Sequence, residues 1–506
     1  MVEPIPSPRG SLDLLQLPHE VLQLIVDQIT ARPHLWSLRK VNQVFRNLSH
    51  ARLYKGVLVR TEDPDEKHYS FFDSELIALK WIRKVRFTQA RRPHALDPVL
   101  DHILEVLPSG TLTRFECEIM SIMGSTTFKR LLDEQNALRC LAAPYLPSGD
   151  FLDTHKKPIL PELQMLRFMY GKSTGNVAAA LMTGATKFCE LDLMYSEKDT
   201  DQLMALLSNV KGNLRRLTLR MPLPECLQRF LPLSMELEVL NSLTLLDYFP
   251  GPEPVFKDSL DISQWMKRLT QLHISGYLSD SRSELESLEE ALRKLPSQLK
   301  VLVLDLNCSH RHIDISVIPS SVRTLGMRFQ GGTSGHFACE WRDGAWGHQC
   351  DGLEQLALVL PKCEASEGLR QKWFDKVQDI CASTNLNTLQ INNDHRSLID
   401  STKDTGWWKS DVSITLLREL AHDIYSCSSD GGSSDNMSAP RSDRNGPLQV
   451  LSFGVGQLHE VEGGLPKPIF MRQHATISDD DASLARLATL SEIEGFAENR
   501  SIVALL

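Results

Sequence analysis

Long apolar runs are missing from this sequence, since no stretch approaches the roughly 18 residues of a membrane-spanning helix. The first residues, MVEPIPSPRGS, also lack the basic start and apolar run of a secretory leader. Together these absences predict an intracellular protein, in the cytoplasm, the nucleus or both, without a membrane partner. The ten cysteines are scattered through apparent core positions, which predicts buried reduced thiols instead of disulfides; examples are Cys117, Cys140, Cys189 and Cys381.

An excess of positive charge is also missing, because the net charge is -9 and the pI is about 6.0. Proteins that bind the phosphate backbone concentrate Lys and Arg to displace its counterions. We therefore predict no nucleic-acid partner. The basic run around Arg83, Lys84, Arg86, Arg91 and Arg92 is balanced by neighbouring acidic residues, and a solvated strand edge accounts for it.

Catalytic and cofactor motifs are scarce. The sequence has no Walker-type G-x-x-x-x-G-K, no H-E-x-x-H and no G-x-G-x-x-G that opens a helix. The Cys339, His348, Cys350 and Cys363 group matches no closed metal-binding spacing. We therefore predict a non-catalytic chain with no cofactor and no metal.

Apolar residues recur at helical spacing between positions 12 and 58. Pro18 stands where a helix can begin, because its missing N–H would be unpaired there anyway. The apolar residues behind it indicate one helix: Val21, Leu22, Ile25, Val26 and Ile29. After a break at 30–33, further apolar residues indicate one or two more helices: Leu35, Leu38, Val41, Phe45 and Leu48. A unit of this size is near the lower limit for independent folding, so it is expected to borrow contacts from a neighbour or a partner chain.

This segment resembles the F-box family, whose pattern is Leu-Pro-x-Glu, an apolar helix, Val-x-x-x-Phe-Arg and a closing Leu-Tyr. The matching residues are Leu17, Pro18, Glu20, Val41, Phe45, Arg46, Leu53 and Tyr54. Asn42 departs from the usual residue after the central Val. The resemblance implies a three-helix adaptor-binding domain in which the adaptor face is formed or supported by Leu17, Pro18, Val21, Leu22, Ile25, Leu38, Val41 and Phe45. The alternative is that these helices only cap the following domain.

From about residue 80, an L-x-x-L-x-L pattern or a close variant recurs about thirteen times, at intervals typical of leucine-rich repeats. The last two apolar residues of each copy flank one outward residue, which predicts a strand with one buried face. Amphipathic stretches between the copies, such as 97–107, 127–135, 200–210 and 285–295, predict a helix in each unit. The predicted fold class is therefore α/β, a three-helix F-box followed by a leucine-rich-repeat solenoid of parallel strands with outer helices.

Leucines at this spacing are expected to be core, so function is expected at the outward strand positions of the solenoid. These positions carry both signs of charge and suit a protein ligand held by charge-assisted contacts. They are Arg167, Glu190, Asp192, Arg216, Thr218, Arg220, His273, Ser275, Arg328 and Gln390. Among them, we predict substrate contacts from Arg167, Asp192, Arg216, Arg220, His273 and Arg328.

The predicted organisation is a disordered segment at 1–11, the F-box at 12–58, the repeats at 59–475 and a helix or tail at 476–506. Two segments interrupt the repeat period. Residues 330–350 are rich in Gly and Trp, and residues 426–447 are rich in Ser and Gly with few apolar side chains, so both are expected to be insertions.

The resemblance implies the function of a substrate receptor in a Skp-cullin-F-box ubiquitin ligase. The F-box would bind a Skp-type adaptor and through it a cullin, and the repeats would bind an unidentified target protein. One alternative is a non-ligase interaction scaffold that keeps the F-box fold. Another is a plain leucine-rich binding module whose first helices are a cap.

Overall fold

The chain divides into two compact units. The computed structural model describes residues 16–27, 29, 32–60, 76–88, 96–119, 123–147, 159–171, 174–195, 205–208, 210, 212–220, 239–246, 268–277, 282–307, 315–330, 352–359, 377, 380–381, 386–392, 421–422, 424–425, 448–454, 469–472 and 485–487. The first unit spans residues 1–144 with 489–491, and the second spans 145–488 with 492–506.

The first unit opens with three helices, α1 His19–Asp27, α2 Arg32–Leu38 and α3 Gln43–Leu53. Both α1 and α2 pack on α3, as the apolar spacing predicts. The buried interior of this helical unit includes six apolar side chains, each no more than 7% exposed: Leu22, Val26, Leu35, Phe45, Leu48 and Leu53. The backbone carbonyl of Pro18 accepts hydrogen bonds from the N–H groups of residues 21 and 22, which places Pro18 at the start of α1.

Asn42, the departure from the F-box pattern, has a structural role at the start of α3. Its side-chain Oδ1 accepts a hydrogen bond of 2.9 Å from the Phe45 N–H, and its backbone is extended. Asn is among the preferred N-cap residues, because its side chain satisfies one of the N–H groups that a helix start leaves unpaired. The departure therefore preserves the helix boundary.

Among the residues of the first unit that the structure describes, four parallel strands follow, β1 Gly56–Arg60, β2 Lys84–Thr88, β3 Arg114–Cys117 and β4 Cys140–Ala142. Helices stand between them in the chain, α4 Leu76–Leu79, α5 Leu96–Val106 and α6 Ser125–Glu134. The predicted helices at 97–107 and 127–135 agree with α5 and α6 to within two residues at each end. Parallel strands require such crossovers, since a hairpin cannot join them.

In the described part of the second unit, ten parallel strands are followed by two antiparallel ones. The parallel strands are β5 Met165–Tyr170, β6 Glu190–Tyr195, β7 Arg216–Arg220, β8 Ser242–Leu246, β9 Gln271–Tyr277, β10 Val301–Asn307, β11 Thr324–Gln330, β12 Gln355–Val359, β13 Thr388–Asn392 and β14 Val450–Gly454. The antiparallel pair is β15 Ile469–Arg472 and β16 Ala485–Leu487. Between strands lie α7 Gly175–Thr183, α8 Arg282–Arg293 and a short 3-10 helix, Ile315–Val317.

The strand register stacks the same repeat position of successive units. Leu191 lies opposite Leu217, which lies opposite Leu243, and the series continues through Leu272 to Leu302. Each of these leucines is at most 1% exposed. The predicted burial of the repeat leucines is thus confirmed in these strands, and the chain carries an α/β repeat with long runs of parallel strands.

A repeated backbone contact fixes the turn before each strand. The Arg215 carbonyl accepts hydrogen bonds from the N–H groups of Asn241 and Ser242, at 2.9 and 3.1 Å. The Asn241 carbonyl receives the N–H groups of Thr270 and Gln271 in the same way, at 2.9 and 3.0 Å. Pairing these backbone groups couples each unit to the next one, as a stack requires.

The C-terminal part of the described chain differs from the sequence-based expectation. The Ala485–Leu487 strand lies where we expected a helix or tail, because these residues pair antiparallel with β15. The predicted disordered segment at 1–11, residues 331–350 and residues 426–447 lie outside the described residues.

Four predicted thiols are free cysteines: Cys117 and Cys140 are buried, and Cys189 and Cys381 are partly exposed. Burial raises the pKa of Cys117 to about 11, which makes it a poor nucleophile. In the described part of the chain, no helix has the length and apolarity to cross a membrane.

The leucine stack yields a stability prediction. Replacing Leu217, which is 1% exposed, with Ala should lower the free energy of unfolding by about 2–5 kcal/mol, because it leaves a cavity between two repeats. The matched control is Thr218→Ala, one residue along β7 on the outward face, for which we expect less than about 1 kcal/mol. Urea denaturation of both variants measures the difference. Equal losses would contradict the assignment of the two faces.

Candidate functional site

Several apolar side chains of the helical unit face solvent, although others are buried in its interior; one of them, Trp36 on α2, is 41% exposed. Five others form what we call the apolar face, which consists of Val21 (38% exposed), Leu24 (63%), Ile25 (39%), Val41 (64%) and Val44 (38%). The three α1 members stand at spacings of three and four, which places them on one side of that helix. Exposed apolar groups concentrated on so small a unit are typical of an interaction surface.

The predicted adaptor residues fall into three groups by exposure. Val21, Ile25 and Val41 belong to the apolar face, and Pro18 is also exposed. Leu17 and Leu38 are half-buried. The remaining two, Leu22 and Phe45, are 3% and 7% exposed, so they can only support the surface from beneath.

Two members of the apolar face, Leu24 and Val44, are absent from the predicted set. The sequence carried a signal for Leu24, because it stands three residues after Val21 and so shares its side of α1. Val44 precedes the buried Phe45 in the first turn of α3, and the sequence does not show which way that turn faces. The structure adds both residues to the surface.

The second candidate surface is the strand face of the second unit, meaning the sheet face that carries the outward side chains between the buried pairs. Its two halves differ. In β5–β9 several outward side chains are at least partly exposed, including Arg167, Thr218 and Thr244. In β10–β14 the central outward position is buried in every strand, at Val303, Gly326, Ala357, Gln390 and Ser452. The expectation that Gln390 lines an open surface is therefore wrong, since it is 0% exposed.

Charged side chains on β5–β7 converge on one buried carboxylate. Asp192, whose side chain is 4% exposed, receives a hydrogen bond of 2.6 Å from Arg167 Nε. Arg220 donates from Nε to Oδ1 at 3.0 Å and from Nη2 to Oδ2 at 3.3 Å. We call Arg167, Asp192 and Arg220, with the adjoining Glu190–Arg216 pair, the arginine cluster. Arg216 Nη1 lies 3.2 Å from Glu190 Oε2.

The structure thus brings together four of the six predicted substrate residues. Of the other two, His273 stands in the same outward row as Asp192, three strands further along. Arg328 lies at an outward position of β11 opposite Asp305, and its side chain lies outside the described part. The sequence alternation places each residue on the correct face, but it does not show that Asp192 joins two arginines.

His273 is held in its neutral form. Burial of its ring, and secondarily the positive charge of Arg220, lower the pKa of His273 to about 4. Its Nε2 atom is withdrawn from solvent and has no hydrogen-bond partner among the described residues. A neutral ring contributes no charge to the strand face at neutral pH.

The pKa of His273 predicts a loss of stability in mild acid. Between the ordinary value of 6.5 and the folded value of about 4, the unfolded chain binds a proton that the folded chain does not. The free energy of unfolding is therefore unreduced by this residue above pH 6.5, and it declines as the pH falls towards 4. Between pH 7.5 and pH 5 the His273→Gln variant should lose less stability than the wild-type chain, and the difference should be at most about 2 kcal/mol.

Urea denaturation at those two pH values measures this effect, and the same substitution at exposed His19 is the control. An unchanged pH dependence in the His273 variant would show that the histidine ring does not carry it.

A third group of charges lies on β2 and β3 of the first unit. Glu116 contacts Lys84 at 3.1 Å and also pairs with Arg114. Arg86 Nε donates to Glu118 Oε1 at 2.9 Å. Burial opposes ionisation of Glu116, but the charges of Arg114 and Lys84 together outweigh it and hold the pKa of this carboxyl below its ordinary value. Lys84 and Arg86 of the basic run thus have acidic partners on β3, whereas Arg83 donates to the backbone carbonyls of Lys80 and Ile82; Arg91 and Arg92 lie outside the described residues.

One short pattern with a catalytic association was overlooked in the sequence. Gly171–Gly175 has the spacing G-x-S-x-G between β5 and α7. Its Ser173 lies outside the described residues. The Thr174 hydroxyl instead closes a local turn, accepting from the Gly171 N–H and donating to its carbonyl, both at 2.9 Å. Among the described residues, no group of three His, Cys, Asp or Glu side chains could hold a metal ion, and Cys339, His348, Cys350 and Cys363 lie outside them.

Comparisons with known proteins give little further information. No protein family matches the chain, and no curated protein matches it. One similar solved structure is the leucine-rich repeat-containing protein LegL7 from Legionella pneumophila, with 12% identity and a TM-score of 0.34 over 76% of this chain and 100% of that one. The repeat architecture assigned to this chain therefore rests on its own strand register and burial.

Proposed function

We propose that this chain is the substrate receptor of a Skp-cullin-F-box ubiquitin ligase. In this role the helical unit binds a Skp-type adaptor, and through it a cullin, while the repeats bind a target protein. The chain itself supplies no catalytic group. The observation that carries the proposal is the apolar face, exposed on helices whose sequence resembles an F-box.

The energetics of the apolar face support a docking role. Leu24 and Val41 are each more than 60% exposed, although the same unit buries Leu22, Val26 and Leu35 to 3% or less. Burying exposed apolar area on a partner contributes roughly 25 cal/mol per Å² before the costs of association are subtracted. A helical unit that only capped the repeats would gain nothing from this exposed surface.

In this proposal the receptor acts by proximity. It holds a target lysine near a ubiquitin thioester carried by another subunit, which raises the effective concentration of the two reactants. Such a role needs two separate binding surfaces on one chain. The apolar face, in the first unit, and the strand face of β5–β9, in the second unit, are the candidates.

The proposal predicts a specific loss of adaptor binding. Replacing Leu24 or Val41 with Glu should weaken binding of a Skp-type adaptor at least about tenfold, because a charge would have to be buried at the interface. A Leu17→Ala, Pro18→Ser double variant should also weaken it, since it alters the start of α1. Co-purification of the full chain with the adaptor is the measurement.

The matched control is Leu58→Glu. Leu58 is 50% exposed but lies on β1, outside the helical unit. Adaptor binding should survive this substitution. If neither the wild-type chain nor any variant binds an adaptor, the helices are a cap and the receptor proposal fails.

A second candidate is a non-ligase interaction scaffold. The paired charges on the strand face favour protein binding in either case, so they do not distinguish the two functions. Reconstitution with adaptor, cullin and ubiquitin-charged enzyme does: adaptor binding without ubiquitin transfer to a bound target would favour the scaffold.

A further inference from the structure

We propose that the arginine cluster binds an anionic side chain of the target, either a carboxylate or a phosphoryl group, on an extended protein segment. This inference rests on the proposed function, because it names the chemistry by which the repeats would recognise their target. It names a local site for target binding on the repeats, which the apolar face does not specify.

The first argument is charge. Three guanidinium groups, those of Arg167, Arg216 and Arg220, face two carboxylates, those of Glu190 and Asp192. The cluster therefore has an excess of one positive charge on a chain whose net charge is -9. This local excess of positive charge attracts an anionic ligand.

The second argument is geometry. Asp192 is almost fully buried, and it fixes Arg167 and Arg220 through hydrogen bonds on both of its oxygens. Two long side chains that would otherwise sample many rotamers are thereby held in place before a ligand arrives. Binding then costs less ordering entropy than at two independent surface arginines.

The third argument is the unused donors. A guanidinium has five N–H groups, yet Arg167 donates only its Nε–H and Arg220 donates from Nε and Nη2. Within the described part of the chain, no other acceptor lies within hydrogen-bond distance of either side chain. The Arg167 side chain is 45% exposed and that of Arg220 is 29% exposed, so the free N–H groups can reach a ligand.

The shape of these donors sets the ligand class. A planar guanidinium fork matches two oxygens of a carboxylate or of a phosphoryl group, and such bonds are stronger than those between neutral groups. The register supplies neighbouring polar positions at Thr218 and Thr244 along the same outward row. An extended segment lying across the strands would pass over them.

The test is a fluorescence anisotropy titration of the full chain with three labelled peptides of one length and backbone. One carries glutamates at alternate positions, one carries phosphoserines there and the third carries glutamines. Either anionic peptide should bind at least about tenfold more tightly than the glutamine peptide, and added salt should weaken that binding. The tighter of the two anionic peptides identifies the source of the oxygens.

The decisive variant is Arg167→Gln, which removes one fork but leaves Asp192 paired with Arg220. It should weaken anionic-peptide binding about tenfold, and Arg220→Gln should act in the same direction. Arg323→Gln is the control for loss of one positive charge, since Arg323 is 51% exposed at the turn before β11 and should leave binding unchanged. Circular dichroism of each variant shows whether the repeats remain folded.

Adaptor co-purification on the same preparations separates the two proposals. A chain that binds the adaptor but does not prefer the anionic peptides would overturn the inference and leave the proposed function standing. Equal weakening by Arg167→Gln and Arg323→Gln would also overturn it, because binding would then follow net charge and not the cluster. Loss of adaptor binding with retained peptide recognition would count only against the ligase role.

Discussion

The stacking of buried leucines between adjacent strands is the interaction on which the other features of this chain depend. A single repeat of this kind cannot bury both its strand and its helix, so each unit is stable only against its neighbours. Leu217 is enclosed because Leu191 and Leu243 lie opposite it in register. The turn carbonyls that accept two N–H groups from the following unit hold that register in place.

This constraint leaves only certain positions free for function. Side chains between the buried pairs must point away from the stack, and in β5–β7 they form a network centred on Asp192. The helical unit has its own interior, and other apolar side chains remain exposed on α1, on α3 and, at Val41, in the turn before α3. Each unit therefore carries surface side chains whose exposure its own packing does not explain.

The sequence predicted the periodic features well, because a buried stripe imposes a regular pattern on the chain. Leu191, Leu217 and Leu243 follow directly from that pattern. Contacts between distant segments were less accessible: Asp192 and Arg220 are far apart in sequence, and only the register brings them together. Burial of Gln390 and the strand at Ala485–Leu487 were missed for the same reason, since both depend on tertiary contacts that override the local pattern. Leu24 was available from helical spacing alone.

The most direct test of the central claim, that α1 and α3 present a docking surface for a partner chain, is hydrogen exchange of the full chain with and without a Skp-type adaptor. Binding at the apolar face should slow amide exchange within His19–Asp27 and Gln43–Leu53 and leave β5–β7 unchanged. Exchange that is unchanged in both helices at saturating adaptor, or slowed only in the repeat strands, would contradict the claim.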